Sequence, residues 1–469
     1  MNASNDSSYA EFVAAKLATH IATGLTGEFD LSAYSLMPHQ NDLTAWAIRR
    51  GRCAVFADTG LGKTRMQLAW ADVIHAATGC DVLILAPLAV AAQTVKEGVE
   101  IGVTVTHCRE LADVRPGINI TNYDRLHKFD AGRFGAVVLD ESSCIKHHDT
   151  KTLATLLEAF KATPFKLCAT ATPAPNDWTE LGTHAEFLGV CSRVEMLSEY
   201  FVHDGAETQV WRLKGHARSQ FWKWVSGWGA MVRKPSDLGH DDAAYNLPDL
   251  TVSEHTVTST LQTVGQLFAF EAQSLSERRD ARKDSLAARV AKCAALVNAD
   301  REPWIVWCDL NAEADALKAA IPDAMEIRGP DDADTKERRL ADFAVGRIRV
   351  LITKPSIAGW GLNWQHCARM AFVGVTDSFE AYYQAVRRCW RFGQRREVAV
   401  HIFASELEGA VVANLKRKEA DALAMSESLS AETRDAVRAE VFGSVRQSNP
   451  YTPRKPIATP AWLVTEKAA

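Results

Sequence analysis

The chain has 469 residues, 47% of them hydrophobic and 24% charged, and its formal net charge is −5 at pH 7. At about 150 residues per domain, this length predicts about two to four globular domains. The sequence has no apolar run near the ~18 residues of a membrane span, no secretory signal pattern and no Cys-x-x-Cys pair, which argues against a membrane protein, a zinc ribbon and a disulfide framework. Because the chain is acidic overall, binding to nucleic acid would need local basic surfaces.

Short apolar strands alternate with helical stretches in two blocks, which predicts two parallel sheets built from βαβ units. The strands of the first block are predicted at 53–57, 82–86, 103–107, 118–121, 136–139 and 165–169. Those of the second block are predicted at 304–308, 325–327, 350–352, 369–375 and 398–403. The predicted divisions are an N-terminal segment (1–30), a first lobe (31–190), a helical insertion (191–290), a second lobe (291–425) and a C-terminal helix with a proline-containing tail (426–469).

A glycine-containing turn, Ala-Asp-Thr-Gly-Leu-Gly-Lys-Thr at 57–64, joins an apolar strand to a helix-favouring stretch. This context predicts a loop whose backbone N–H groups bind the phosphates of a nucleotide, with Thr59, Gly60 and Gly62 in the cradle. Lys63 would reach the β- and γ-phosphates, and the Thr64 hydroxyl would hold Mg²⁺. The alternative is an ordinary βα turn in which Gly-Lys-Thr is accidental.

Two adjacent acids, Asp140 and Glu141, follow the apolar strand 137–139. They would lie at the carboxyl edge of a parallel sheet, where ligands of such sheets bind. Asp140 is predicted to hold Mg²⁺ through water, and Glu141 to orient and deprotonate the attacking water. A strand that ends in Asp-Glu is common, but its position after a phosphate loop strengthens the assignment.

The predicted insertion is rich in tryptophan and in basic residues. An apolar stripe at helical spacing there favours core packing over base stacking; its members are Phe221, Trp224, Val225 and Trp228. The basic residues outnumber the local acids and predict a surface that contacts phosphates, with Arg218 and Lys223 as its main members. The full basic set is Arg212, Lys214, Arg218, Lys223, Arg233 and Lys234.

Arg388 and Arg391 lie three residues apart in a stretch, 379–392, that is predicted to be helical, so both would project from one face. If that face lines a cleft between the lobes, both would neutralise charge on the γ-phosphoryl group during transfer. The alternative is a solvated basic face, which is what most arginine clusters are.

Together these stretches resemble a superfamily 2 helicase of the Swi/Snf type, a DEAD/DEAH-like helicase, over residues 31–420. Ser142-Ser143 departs from the resembled pattern, where alanine or glycine and then histidine are more usual, and so does Arg387, where glycine is usual. Residues 215–249 further resemble bacteriophage and prophage members. The resemblance is carried by 36–40, 57–64, 85–88, 120–124, 140–146, 170–173, 359–363 and 384–394.

The resemblance implies two RecA-like parallel-sheet lobes of the P-loop NTPase fold, with ATP and Mg²⁺ between them. It implies that Gln40 reads the adenine, that Gly361 belongs to the nucleotide site, and that Thr170, Thr172 and Gln384 couple hydrolysis to lobe movement. Arg388 and Arg391 would be the arginine fingers. The implied nucleic-acid contacts are Pro87, Asn122, Tyr123 and Asn363.

The expected function is that of a cytoplasmic ATP hydrolase that moves along DNA, with duplex DNA as the track and no need to separate the strands. Phage or host DNA-processing proteins are the expected partners, and no membrane is involved. An RNA helicase of the same superfamily is one alternative. The other is an ATP-gated DNA clamp with little turnover. The intact catalytic set argues against it: Lys63, Asp140, Glu141, Arg388 and Arg391.

Overall fold

The computed structural model describes residues 22–87, 90–146, 148, 150–174, 177–204, 207–257, 283–358, 363–374, 378–406, 413, 417 and 433–442. Two all-parallel sheets with helices packed against them give an α/β protein with two RecA-like lobes of the P-loop NTPase type. In the part of the chain that the structure describes, no helix is both long enough and apolar enough to cross a membrane.

The first lobe is built on a seven-stranded sheet in the order β3-β4-β2-β5-β6-β1-β9. Its strands are apolar because the sheet is covered on both faces. Along β1, Cys53 and Val55 pack in one core cluster, whereas Ala54 and Phe56 pack in the other. The strands are β1 Arg52–Ala57, β2 Asp81–Ala86, β3 Val105–His107, β4 Ile118–Asn122, β5 Phe134–Asp140, β6 Phe165–Ala169 and β9 Gly229–Val232, and a separate antiparallel hairpin consists of β7 Phe201–Asp204 and β8 Glu207–Leu213.

Helices cover both faces of this sheet. The helix that follows β1 buries Met66, Leu68, Trp70 and Ile74, which explains its place against the sheet directly after the phosphate loop. The helices of this lobe are α1 Pro38–Arg50, α2 Lys63–Thr78, α3 Ala91–Glu100, α4 Lys151–Ala159, α5 Leu181–Leu188, α6 Arg193–Tyr200 and α7 Arg218–Ser226.

The second lobe is built on a six-stranded parallel sheet in the order β10-β15-β14-β11-β13-β12. Two core clusters lie on its two faces, one of them around Trp307 and Trp364 and the other around Trp304 and Phe403. The strands are β10 Leu250–Val257, β11 Trp304–Trp307, β12 Ala324–Glu326, β13 Val350–Thr353, β14 Arg369–Phe372 and β15 Val398–Ser405. The helices are α8 Leu286–Ala299, α9 Asn311–Ala320, α10 Ala333–Ala344, α11 Pro355–Ala358 and α12 Phe379–Val386.

The segment 191–290 is less helical than the sequence predicts. Its described residues contain α6, α7 and the start of α8, but also the hairpin β7–β8 and the strands β9 and β10. Strand β9 pairs with β1 in the first sheet, and β10 pairs with β15 in the second. The segment therefore contributes an edge strand to each lobe and is not a separate helical unit.

The predicted C-terminal helix is present at residues 433–441, and the rest of the predicted tail lies outside the described residues. It packs on the first lobe, where Val437 and Val441 join the core cluster of α1 and α2. Arg49 of α1 donates a hydrogen bond to the Val441 carbonyl at 3.0 Å, and Arg438 donates to the carbonyl of Asp237 at 2.7 Å. Residues 433–441 thus return to the first lobe after the strands of the second lobe.

Candidate nucleotide site between the lobes

The loop between β1 and α2 has the backbone that a phosphate cradle requires. Gly60 and Gly62 have φ angles of +93° and +82°, which side chains with a Cβ rarely adopt. A Cβ on Gly62 would lie 2.2 Å from Nε2 of Gln40, and one on Gly60 would lie 3.1 Å from Cβ of Phe392 in the second lobe. Glycine suits both positions chiefly because of these φ angles, and the close approach of Gln40 and Phe392 adds to that preference.

Lys63 is the first residue of α2, and its ammonium group is folded back onto the loop. Nζ donates hydrogen bonds to the carbonyl oxygens of Ala57 at 3.0 Å and Asp58 at 3.4 Å. Burial lowers the pKa of Lys63, and the nearby charges of Glu141 and the other acids oppose that effect. The lysine is therefore held at the cradle by groups that it can exchange for phosphate oxygens.

Gln40 lies in the first turn of α1 and makes a hydrogen bond to the phosphate loop. Its Nε2 donates to the carbonyl of Leu61 at 3.0 Å, while its Oε1 accepts from the backbone N–H of Met37 at 3.0 Å. Gln40 also lines the cavity between the two lobes, which is where the resemblance implies a contact with the adenine base. The reading of adenine itself stays a prediction.

Asp140 ends β5 and is fixed by neighbouring side chains. Its Oδ1 accepts a hydrogen bond from Nε2 of Gln67 at 2.6 Å, and its carbonyl accepts one from the Tyr123 hydroxyl at 2.8 Å. Burial and the adjacent Glu141 charge raise the pKa of the Asp140 carboxyl group. A buried carboxylate whose charge is poorly compensated is a favourable ligand for a divalent cation.

Glu141 has a strained backbone and an unsatisfied side chain. It is in the left-handed region at φ +51°, which only Ser35 shares among the described residues other than glycine. The residue is 8% exposed, and its Oε2 has no hydrogen-bond partner in the described part of the chain. Strain and an orphaned carboxylate oxygen together are typical of a group that completes its hydrogen bonds with substrate or water.

Ser142, which follows the two acids, is tied to a buried histidine. Its Oγ lies 3.1 Å from Nε2 of His184 in α5, and both side chains are fully buried. Burial lowers the pKa of His184 to about 4, so the ring is neutral at physiological pH. The serine that departs from the resembled pattern thus anchors the acidic motif to the helix layer.

Lowering the pH from 7.5 to 5 should destabilise the wild type more than a His184→Gln variant. Because the fold depresses the pKa of His184 from 6.5 to about 4, its stabilising contribution is complete above pH 6.5 and is lost as the pH falls towards 4. For this one group the loss at pH 5 is about 2 kcal/mol in the free energy of unfolding. Urea unfolding at both pH values measures this loss in the free energy of unfolding. The control is His203→Gln, which replaces an exposed histidine. An equal acid effect in wild type and His184→Gln would contradict the assignment.

The two predicted arginine fingers reach the site from the second lobe, although the helix is shorter than predicted. Helix α12 ends at Val386, not at 392, and a series of turns carries Arg388 and Arg391 to the cavity wall. Arg388 is 1% exposed and donates to Oε1 of Gln384 at 2.8 Å. Burial and the neighbouring Arg388 charge lower the pKa of Arg391 to about 10, which leaves it charged at neutral pH.

The residues predicted to couple the lobes meet across the cleft. Nε2 of Gln384 in α12 donates to Oγ1 of Thr172 in the first lobe at 3.4 Å, and Oγ1 of Thr170 accepts from the N–H of Thr172 at 3.2 Å. Since Gln384 also holds Arg388, a continuous set of hydrogen bonds joins the end of β6 to an arginine finger.

One cavity of about 700 Å³ lies between the lobes and collects most of the predicted site residues. They come from the phosphate loop, the end of β5 and the second lobe, which are far apart in sequence. The predicted residues that line it are Gln40, Thr59, Gly60, Gly62, Lys63, Thr64, Asp140, Glu141, Asn363, Arg388 and Arg391. Gly361 lies outside the described residues.

The residues predicted to touch nucleic acid in the first lobe have structural partners. Asn122 is 6% exposed, and its Oδ1 accepts from the N–H of Arg125 and so caps a short helical turn. Tyr123 supports Asp140 through its hydroxyl, and Pro87 is half-buried after β2. Asn363 lines the nucleotide cavity instead. A nucleic-acid contact by any of these residues stays a prediction.

Sequence reasoning missed several residues of the cavity. Tyr245, from the loop before β10, lines it together with Phe392, and their rings lie 4.7 Å apart. The Tyr245 hydroxyl lies 3.3 Å from Nε2 of His39, next to Gln40. Gln67, which does not line the cavity but holds Asp140, was missed as well. It could have been found, since it lies three residues after Thr64 on the same face of α2. Tyr245 carries no such local signal.

Comparison with known proteins supports the nucleotide site. A family model described as an AAA domain matches residues 35–167. The matched stretch runs from just before α1 to β6 and contains the phosphate loop and both acids. It indicates a P-loop NTPase with nucleotide hydrolase activity. No curated protein matches the chain.

Proposed function

We propose that this protein is an ATP-dependent DNA translocase of the Swi/Snf type that hydrolyses ATP between its two lobes and moves along duplex DNA. The observation that carries this proposal is that the phosphate loop and both acids of the first lobe line the same cavity as Arg388 and Arg391 of the second. A site shared by two lobes can link each hydrolysis step to their relative movement. The expected setting is the cytoplasm of a bacterial or phage-infected cell, with DNA-processing proteins as partners.

The residues of the cleft fit ATP and Mg²⁺. The two glycines leave the cradle open to phosphate oxygens, Lys63 can exchange two carbonyl oxygens for them, and the orphaned Oε2 of Glu141 lacks a donor that a water molecule would supply. Thr64 and Asp140 would hold the Mg²⁺ ion. When bound, Mg²⁺ would neutralise charge on the phosphates and polarise them for attack.

The roles of the side chains follow from where they lie. Lys63 would hold the phosphates, Glu141 would orient a water molecule and accept its proton, and Gln67 keeps Asp140 in place through its amide. Arg388 and Arg391 would stabilise the charge that develops during transfer. Gln384 would pass the resulting shift of α12 to Thr172 and hence to the first sheet.

The surface proposed to contact DNA is on α7. Arg218 and Lys223 are exposed, while Phe221, Val225 and Trp228 of the same segment are buried in the first lobe. The prediction that the apolar stripe packs in the core is thus confirmed. Its burial leaves the basic side chains outward, where phosphates can reach them.

Reversing two charges with Arg218→Glu and Lys223→Glu should weaken DNA binding and leave ATP hydrolysis without DNA unchanged. Each phosphate contact releases counterions, so the slope of log affinity against log salt should become shallower by about 1 to 2. Fluorescence anisotropy over a salt series measures the slope. Arg347→Glu with Arg395→Glu, which reverses two exposed charges on the second lobe, is the matched control. An unchanged slope in the α7 variant would show that this face is only solvated.

One experiment tests the proposal against its alternatives: the ATPase rate measured with duplex DNA, single-stranded DNA, RNA or no polymer. Stimulation by duplex DNA supports the translocase. Stimulation by RNA alone would favour an RNA helicase of the same superfamily. Tight ATP-dependent DNA binding with little turnover would favour an ATP-gated clamp.

A further inference from the structure

The phosphate loop is bonded directly to the second lobe through Asp58. Oδ1 of Asp58 accepts a hydrogen bond from the Tyr383 hydroxyl at 2.9 Å, and Oδ2 pairs with Nη2 of Arg387 at 3.0 Å. Oδ1 of the same carboxylate also accepts a hydrogen bond from the backbone N–H of Thr59, the next residue of the loop, at 2.6 Å. Asp58 therefore joins the backbone of the cradle to helix α12 and to the residue that follows it.

The three side chains form a mostly dry and mutually braced group. Nε of Arg387 donates to the Tyr383 hydroxyl at 3.1 Å, and its guanidinium lies 4.8 Å from the centre of the Trp390 ring. The side chains of Arg387 and Asp58 are 11% and 22% exposed. The Asp58 and Tyr383 partners raise the pKa of Arg387 against the effect of its burial. Because water is largely excluded, the pair is screened far less than a surface ion pair.

Arg387 is not placed like the two arginine fingers. Its charge faces Asp58, whereas Arg388 and Arg391 line the cavity itself. It is also the residue that stands where the resembled motif usually has glycine, which has no side chain and could not make this contact. The arginine thus adds a bond between the phosphate loop and the second lobe that the resemblance alone does not predict.

We propose that Asp58, Tyr383 and Arg387 form a clasp that closes the cleft in the absence of nucleic acid and so positions Arg388 and Arg391 over the phosphate cradle. The three are positioning residues, since they join the loop to the segment that carries the arginine fingers and are not among the residues that line the cavity. This inference rests on the proposed hydrolysis in the cleft but not on the identity of the polymer. It predicts that ATP hydrolysis without nucleic acid depends on the clasp. It also predicts that bound nucleic acid makes hydrolysis less dependent on the clasp.

The geometry shows why the clasp would act on the rate more than on nucleotide affinity. Asp58 does not line the cavity, whereas five of the six residues that follow it do: Thr59, Gly60, Gly62, Lys63 and Thr64. Loss of the clasp leaves these residues with their first-lobe partners, among them the contact from Gln40 to the Leu61 carbonyl. The second lobe, in contrast, loses a bond next to both arginines, and an interaction needed chiefly at closure affects kcat.

The test uses Tyr383→Phe, Arg387→Gln, Asp58→Asn and the double variant Asp58→Asn/Arg387→Gln of the full chain. Without polymer, each single variant should lose about tenfold in kcat with little change in KM for ATP, and the double variant should lose no more than the worse single variant, since the residues act as one unit. With saturating DNA the loss should shrink. Arg395→Gln, an exposed arginine eight residues after Arg387, is the matched control and should behave as wild type.

A second readout reports the closure itself. Dyes on unnatural residues at exposed Val194 in the first lobe and Arg301 in the second measure the distance between the lobes by energy transfer, without ATP or DNA. The clasp variants should shift the population towards larger distances. If Arg387→Gln fails to fold, Tyr383→Phe decides alone, because it removes only a hydroxyl group.

Additive losses in the double variant, a raised KM with unchanged kcat, or an unchanged distance distribution would overturn the clasp. These outcomes differ from failure of the proposed function. That failure would appear in the wild type, as an ATPase rate insensitive to every polymer, while the distance measurement would still report the clasp.

Discussion

Arg388→Ala and Arg391→Ala should each bind ATP almost as the wild type does, yet lose about 10³- to 10⁵-fold in turnover. That loss corresponds to roughly 4 to 7 kcal/mol of transition-state stabilisation. Both residues belong to the second lobe, whereas Lys63, Thr64 and the two acids that would hold the nucleotide belong to the first. Nucleotide can therefore dock without the arginines, which are needed when charge redistributes on the γ-phosphoryl group.

Lysine should rescue neither position, because its point charge cannot reproduce the planar fork of a guanidinium group. Arg388 uses Nε and Nη2 for bonds to the carbonyl oxygen and Oε1 of Gln384 at 2.9 and 2.8 Å, and the residue also lines the cavity. A lysine has a single donor atom and cannot hold Gln384 and a phosphate oxygen in the same planar arrangement. Arg388→Lys should consequently lose the coupling to Thr172 as well as catalysis.

The assay measures nucleotide affinity by fluorescence and polymer-stimulated turnover on the same preparations. Arg395→Ala, which removes an exposed arginine of the same segment, serves as the control. Near-normal turnover in both finger variants would mean that the arginines are structural charges and that catalysis does not use the second lobe.

Lys63→Ala and Glu141→Gln should both abolish hydrolysis, but for different reasons. Loss of Lys63 removes a phosphate contact, so the affinity for ATP should fall together with the rate. Loss of the Glu141 carboxylate removes the group that would activate water, and the amide keeps the size of the side chain in its buried position. ATP should still bind to Glu141→Gln and trap a closed state that holds DNA tightly.

Three assays separate these effects. Single-turnover hydrolysis measures the rate, nucleotide titration measures the affinity for ATP, and a binding assay in the presence of ATP measures how tightly DNA is held. General-base catalysis contributes about 10²- to 10⁴-fold, so the residual rate of Glu141→Gln should be at least that much below the wild type. If both variants lost ATP binding equally, the separate roles of Lys63 and Glu141 would be wrong.

The strands and the nucleotide site could be predicted from sequence because both leave local signals. Strands of a parallel sheet covered on both faces appear as short apolar runs, as in β2 and β5. The phosphate loop needs glycine at positions of positive φ, and the two acids mark the end of β5, with Asp140 as its last residue and Glu141 directly after it. Gln384 and Thr172 could be paired only through the resemblance, since nothing in the residues between them places one lobe against the other.

The parts that were missed depend on tertiary contacts. Strand β10 is an edge strand with exposed positions from Thr251 to Glu254, so it lacks the apolar run of its neighbours. The end of α12 at Val386 is set by the turns that lead to Gly393, whose φ is +88°. Neither the edge strand nor the early end of α12 leaves a hydrophobic pattern in the sequence from which it could be predicted.

The return of residues 433–441 to the first lobe sets an order for folding during synthesis. The bond from Arg49 to Val441 spans 392 residues, so the ribosome completes both sheets before the last segment of the first core exists. Until then the surface of α1 and α2 that Val437 and Val441 cover stays open to water. Contacts of such long range form slowly and leave apolar surface exposed to aggregation meanwhile. In a nascent chain of this protein, the surface of the first lobe that Val437 and Val441 cover therefore stays exposed until residues 433–441 have been made.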